Sequence, residues 1–113
     1  MNFENRRARE RAAVNLTVGE TRTNRYTVPV LANISDEAAY IEGPYDDDYG
    51  YFSQPILEIM LPGVPEIIWA RCQVVRENTS GFFHGRALRF VEISPLHRYY
   101  IRNYIQQNRC AEN

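Results

Sequence analysis

The chain has 113 residues, enough for one hydrophobic core and too few for two. Its apolar fraction of 44% and charged fraction of 24% exclude a disordered chain as a whole. A formal net charge of -1 gives no global pull toward nucleic acid or an anionic membrane, so anion binding must come from a local cluster.

The N-terminus, Met1 to Arg11, is polar and Arg-rich, and no apolar stretch follows it. It reads as a flexible charged arm over 1–11, not as a secretory signal. No segment reaches the roughly 18 apolar residues of a membrane span, so no membrane insertion is expected. Val14, Leu16 and Val18 then alternate with polar or small residues, which predicts a strand ending near Gly19. Glu20 to Arg25 reads as a polar hairpin loop. Tyr26, Val28, Val30 and Ala32 alternate again, and Pro29 within that run points to an edge or a bulge. Ala38 to Ile41 reads as a short strand closed by Gly43-Pro44.

Residues 44–53 are acidic, aromatic and Gly/Pro-marked, and they predict a loop. Asp46, Asp47 and Asp48 there are consecutive, so they cannot all converge on one ion. Tyr45, Tyr49, Tyr51 and Phe52 are expected to fold over a barrel opening or to form a partner surface. Ile56 to Leu61 predicts a strand closed by Pro62-Gly63. Ile67 to Arg76 predicts the longest strand, with Ile68, Ala70, Cys72 and Val74 on one face and Trp69 on the other. Barrel core is nonetheless the default expectation for Trp69. Asn78-Thr79-Ser80-Gly81 marks a hairpin, and Phe82 to Glu92 returns as its second strand.

At Ser94-Pro95 the period changes. Ser94 is a cap and Pro95 a first helical residue. Leu96, Tyr100 and Tyr104 fall four apart, as do Ile101 and Ile105, and together they make an apolar stripe at helical spacing. The helix is expected to end near Gln107, with a frayed tail over 108–113. The pattern as a whole predicts an all-β fold: a six-stranded antiparallel barrel plus one C-terminal helix over 12–107.

Two clusters stand out chemically. All 13 basic residues are Arg, the side chain best suited to forked contacts with phosphate and guanine. Arg6-Arg7-Ala8-Arg9-Glu10-Arg11 places Arg7 and Arg11 four apart, on one side of either a helix or an extended chain. Two guanidinium forks on one side can clamp a phosphodiester or reach O6 and N7 of a guanine. The second cluster is Asn33-Ile34-Ser35-Asp36-Glu37-Ala38. Asn33 and Ser35, two apart along a strand, face the same way and can meet a base edge or a phosphate oxygen. The bland alternative is a Ser or Asx turn between two strands.

The order and spacing of these motifs resemble the PilZ domain family. The resemblance rests on Arg7–Arg11, Asn33–Ser35, Leu61-Pro62-Gly63, the strand ending Val74-Val75-Arg76, and Arg89-Phe90-Val91 leading into the helix. It covers about residues 4 to 107. It implies a bacterial, cytoplasmic barrel that binds cyclic di-GMP, a second messenger, and that serves motility, attachment and biofilm or exopolysaccharide processes. It also implies an arm that orders on binding and changes how an unidentified protein partner docks. Carried over, Arg7, Arg11, Asn33, Ser35 and Ala38 are the ligand-binding residues, with Arg6 and Trp69 as secondary candidates.

Two positions depart from the family pattern. Ala38 stands where a Gly is usual, and Glu37 fills a neighbouring position that is frequently Gly. A positive φ at Ala38 would cost about 1–2 kcal/mol. The alternative function is a PilZ-like interaction module that does not bind the nucleotide. A third reading, a small barrel that stacks single-stranded nucleic acid, is opposed by the near-neutral charge, so no DNA or RNA partner is expected. No nucleophile–base pair, Gly-rich phosphate loop or metal-ligand spacing appears, so neither enzyme activity, a cofactor nor a bound metal is expected. His84 and His97 have no ligand-spaced companion and read as structural or surface residues. The spacing of Cys72 and Cys110 fits neither a disulfide framework nor a zinc site, which suits a reducing compartment.

Overall fold

A computed structural model describes residues 10–23, 25–44, 54–80 and 82–112. Its strands are β1 (Ala12–Thr17), β2 (Gly19–Arg22), β3 (Arg25–Thr27), β4 (Val30–Ile34), β5 (Ala38–Pro44), β6 (Ile56–Ile59), β7 (Ile68–Ser80) and β8 (Phe83–Ile93), followed by helix α1 (Pro95–Glu112). They form one 8-stranded sheet in the order β1-β4-β5-β8-β7-β6-β2-β3. Every neighbouring pair is antiparallel.

The strand count exceeds the expected six because two strands are broken by kinks. Only Val18 separates β1 from β2, and only Val28-Pro29 separates β3 from β4. Pro29 has no N–H to give the ladder, so pairing lapses there. The two kinks face each other, joined by the Val18 N–H donating to the Pro29 carbonyl at 3.0 Å. Because β2 continues β1 past Val18 and pairs with β6, the hydrogen-bonded path leaves this segment through β4 and returns to it through β6. The sheet is therefore strongly curled, with α1 packed against β1.

Glu20 to Arg25 is a paired hairpin, not a loop: Glu20 opposes Thr27, and Arg22 opposes Arg25. Glu20 and Arg22 are buried, and they are charged. They face one another as opposite charges inside the curl. Glu20 Oε1 accepts from Thr27 Oγ1 at 3.0 Å and lies 3.5 Å from Arg86 Nη2, while Arg22 Nε lies 3.8 Å from Glu20 Oε2. His84, also buried, pairs its Nε2 with Glu77 Oε1 at 2.9 Å. The expected apolar face of Tyr26 and Val28 points outward instead, at 60% and 57% exposure, while Leu31 and Ile34 go to the core.

The core lines the concave side of the sheet. Leu31, Ile34, Ile41, Leu57, Ile59, Ile68 and Leu88 are fully enclosed, and Ile101 and Ile105 of α1 complete it. Each buried Ile or Leu contributes roughly 1.5–3 kcal/mol. Tyr100 and Tyr104 pack half-buried at its margin, whereas Leu96, at the head of the same stripe, remains exposed. Trp69 is exposed on the outer face, opposite buried Cys72, and is not a core residue.

Turn chemistry follows the sequence. Leu61-Pro62-Gly63-Val64 closes with the Val64 N–H donating to the Leu61 carbonyl at 3.1 Å, and Gly63 takes the positive φ of 79° that such a turn requires at its third position. Ser94 caps α1, its Oγ accepting the His97 N–H at 3.1 Å. His97 also ties the helix to β7: its Nδ1 accepts the Trp69 N–H at 3.1 Å, while Nε2 meets Glu66 Oε2 at 2.7 Å. The helix passes the expected end at Gln107 and continues to Glu112, since no breaker intervenes. No helix among the described residues is long and apolar enough to cross a membrane.

Candidate functional site

A cleft of about 200 Å³ lies on the outer, convex face of the sheet, lined by Arg11, Asn33, Ala38, Ala39, Tyr40, Arg76 and Ala87. Arg11 leads into β1, and Asn33 comes from β4, so two motifs separated in sequence meet at one place. Ala38 of the second motif, from β5, also lines it. Arg6 and Arg7 lie outside the described residues, as do Asp46–Asp48 and the aromatic residues Tyr45, Tyr49, Tyr51 and Phe52.

A register row organises the cleft. Asn33 opposes Tyr40, Tyr40 opposes Ala87, and Ala87 opposes Arg76, so one residue from each of β4, β5, β8 and β7 lies in a line. Two bulges put the ends of that line on the outer face. In β4, Ala32 is inserted between the pairs Leu31↔Ile41 and Asn33↔Tyr40. Both Leu31 and Ile34 therefore face the core while Asn33 faces out. In β7, Val75 is inserted between Val74↔Leu88 and Arg76↔Ala87. Strict alternation from buried Val74 would turn Arg76 inward; the bulge sets it outward.

Tyr40 forms one wall. Its ring reaches diagonally over Gly85, where a Cβ would come within 1.9 Å of the Tyr40 Oη and 2.7 Å of Cζ. Glycine is required there for this close approach, not for its backbone freedom. Ala38 has an extended backbone, because among the described residues Thr23 is the non-glycine with positive φ. The strain considered for Ala at this position does not arise, and its methyl is part of the cleft lining.

Ser35 does not face the cleft with Asn33. The last strand pair is Ile34↔Ala39, after which the chain turns. Ser35 is buried, and its Oγ accepts the Glu37 and Ala38 N–H groups, each at 3.1 Å. It shapes the turn behind the site, as the Ser-turn alternative had it. Trp69 lies seven residues along β7 from Arg76, at the end near α1, and does not line the cleft.

The charge around the cleft is uneven. Arg71 is paired with Glu92, Arg89 with Gln73 at 2.7 Å, and Arg102 with Asp36 at 2.6 Å. Arg11 and Arg76 hold no hydrogen-bond or ion-pair partner among the described residues, and both line the cleft. Tyr40, Gly85 and Arg76 are not legible in the sequence as site residues, because the bulges and the close approach that place them carry no local signature. Groups of three or more His, Cys, Asp or Glu with metal-holding geometry are absent among the described residues.

No family model matches the chain, and no curated protein does. Solved structures do. The Bacillus subtilis inhibitor of motility MotI/DgrA superposes with a TM-score of 0.83 at 16% identity, over 93% of this chain and 52% of that one. The Borreliella burgdorferi PlzA protein in complex with c-di-GMP superposes with a TM-score of 0.57 at 10% identity, over 100% of this chain and 51% of that one. This chain thus spans about half the length of each. At these identities the likeness is one of fold, and the fold is PilZ-like.

Proposed function

We propose that the protein is a receptor for cyclic di-GMP that acts as an adaptor rather than an enzyme. The observation that carries this reading is the meeting of Arg11 and Asn33 in one cleft, beside a floor of small residues. Cyclic di-GMP offers two phosphodiesters and two guanines. Arginine forks match both groups, and the Asn33 amide carries a donor and an acceptor for a base edge. Ala38 and Ala87 leave a flat apolar surface on which a base can rest, and Tyr40 bounds it. At about 200 Å³ the cleft takes one base and its neighbouring phosphate; it is smaller than the roughly 300–1,000 Å³ of a pocket that encloses a whole ligand. The rest of the ligand would be covered by the arm that carries Arg6 and Arg7.

In this reading the arm orders over the bound nucleotide, and the altered surface changes which protein docks on the barrel. Motility, attachment and exopolysaccharide secretion are the processes such a switch would serve. The fold likeness to a motility inhibitor and to a protein solved with c-di-GMP supports this reading.

A second reading has its own observation. Phe82 and Phe83, at the tip of the β7–β8 hairpin, are 87% and 66% exposed, which suits an interaction module that needs no nucleotide. A thermal-shift comparison separates the two. Cyclic di-GMP at a hundred times its Kd should raise the unfolding midpoint by about 10 °C, with no rise from cyclic di-AMP or GTP. An unchanged midpoint with all three would favour the interaction module.

A further inference from the structure

We infer that Arg76 is a further ligand-contacting residue, its guanidinium fork taking the O6 and N7 edge of a guanine that rests on Ala38 and Ala87. This inference rests on the cyclic di-GMP reading of the cleft.

Three observations carry it. First, Arg76 lines the cleft although it is distant in sequence from both motifs that suggested a site. Second, it stands on the outer face only because Val75 is bulged out of the β7–β8 ladder; regular pairing would set Val75 against Ala87 and turn Arg76 toward the core. The matching bulge at Ala32 turns Asn33 out at the other end of the same row. Two independent bulges that turn two polar side chains outward at the two ends of one register row, with Tyr40 and Ala87 between them, are a placement, since each gives up a ladder hydrogen bond. Third, Arg76 holds no hydrogen-bond or ion-pair partner among the described residues, whereas Arg71, Arg89 and Arg102 are engaged elsewhere.

The row fixes what Arg76 would read. Asn33 and Arg76 lie three interstrand steps apart, about 14 Å at roughly 4.8 Å per step. Arg76 rises from a strand at the level of the alanine floor. A planar base lying on that floor presents its edge, not its face, to a side chain of the same row. The edge that accepts an arginine fork with two bonds is the guanine O6/N7 edge; adenine offers a donor in place of O6. Arg11 leads out of the sheet into the arm and is placed for the phosphates.

The test is calorimetric titration of cyclic di-GMP into the parent chain and into the Arg76→Met, Arg76→Lys and Arg11→Ala variants. Arg76 is exposed, so its replacement should leave the unfolding midpoint unchanged. The expected result is a Kd raised tenfold or more in both Arg76 variants, since lysine keeps the charge but loses the fork. A Kd within threefold of the parent for Arg76→Met, or parent-like binding by Arg76→Lys, would overturn the inference. If the parent binds and Arg11→Ala weakens binding while Arg76→Met does not, the inference alone falls. If the parent itself gives no heat, the reading of the cleft falls and takes the inference with it.

Discussion

Arg102 of α1 donates its Nε–H to Asp36 Oδ2 at 2.6 Å, clamping the helix to the turn behind the cleft. Arg98, one turn earlier, donates to the Asp36 carbonyl at 2.8 Å. The Asp36 side chain is 8% exposed and that of Arg102 is 59%. Removing the arginine therefore strips a partner from a largely desolvated carboxylate, whereas the pair itself is partly screened by water. Arg102→Ala should cost about 1–2 kcal/mol of stability in urea denaturation. It should also loosen the turn that holds Ala38 in the cleft, and added salt should shrink the difference between variant and parent.

Gly85 and Tyr40 should behave as one unit. A methyl at position 85 meets the Tyr40 hydroxyl at 1.9 Å, so the ring must swing away from β8. Gly85→Ala alone should destabilise by about 1–3 kcal/mol, as an overpacked site does. In a Tyr40→Ser background the same change should cost less than about 0.5 kcal/mol. A double-mutant cycle reads the coupling directly.

Glu20 is fully buried, with Arg86 at 3.5 Å and Arg22 at 3.8 Å. Burying charge is unfavourable unless opposite charges share the site. Glu20→Ala takes the carboxylate from between two buried guanidiniums and should cost about 3–5 kcal/mol by chemical denaturation. Glu58→Ala, an exposed carboxylate on β6, should stay within about 0.5 kcal/mol of the parent.

Cys72 should be inert in the folded protein. Burial pushes its thiol well above the ordinary value of 9.0, and the nearby Glu20 charge adds to the effect. The reactive thiolate is thus suppressed at pH 8. A Cys110→Ser variant should resist iodoacetamide at that pH until urea unfolds it. The folded value is raised, so this contribution to stability is complete below the ordinary thiol range. It is lost as pH rises beyond that range, because the unfolded thiol ionises first.

Much of this arrangement is legible in the amino-acid order. Ser94-Pro95 marks the start of α1, Pro62-Gly63 gives its turn, and residues 78–81 announce a β7–β8 hairpin, although Asn78, Thr79 and Ser80 are themselves strand residues, paired with Gly85, His84 and Phe83, and β7 runs past the expected end at Arg76. The alternation of Ile68, Ala70, Cys72 and Val74 predicts the buried face of β7 correctly, but only as far as Val74. There the bulge at Val75 reverses the phase, and Arg76, which simple alternation assigns to the core side, stands in the cleft. The end of the β4–β5 pairing at Ile34↔Ala39 likewise separates Asn33 from Ser35, which enters the turn, although their spacing of two suggests a shared face. Glu20 and Arg22 read as loop because their burial depends on pairing with β6 and on Arg86, sixty-six residues from Glu20. Pairing register is a property of the whole sheet, and no window along the chain contains it.

Arg11 and Asn33 are the residues proposed to hold cyclic di-GMP in the cleft. Isothermal titration calorimetry of cyclic di-GMP into the parent chain and into an Arg11→Ala/Asn33→Ala double variant, with cyclic di-AMP as control, tests that role most directly. Saturable heat is expected with cyclic di-GMP alone, and its loss or a hundredfold weakening in a double variant that remains folded. No heat from the parent at high micromolar ligand, or undiminished binding by the double variant, would contradict it.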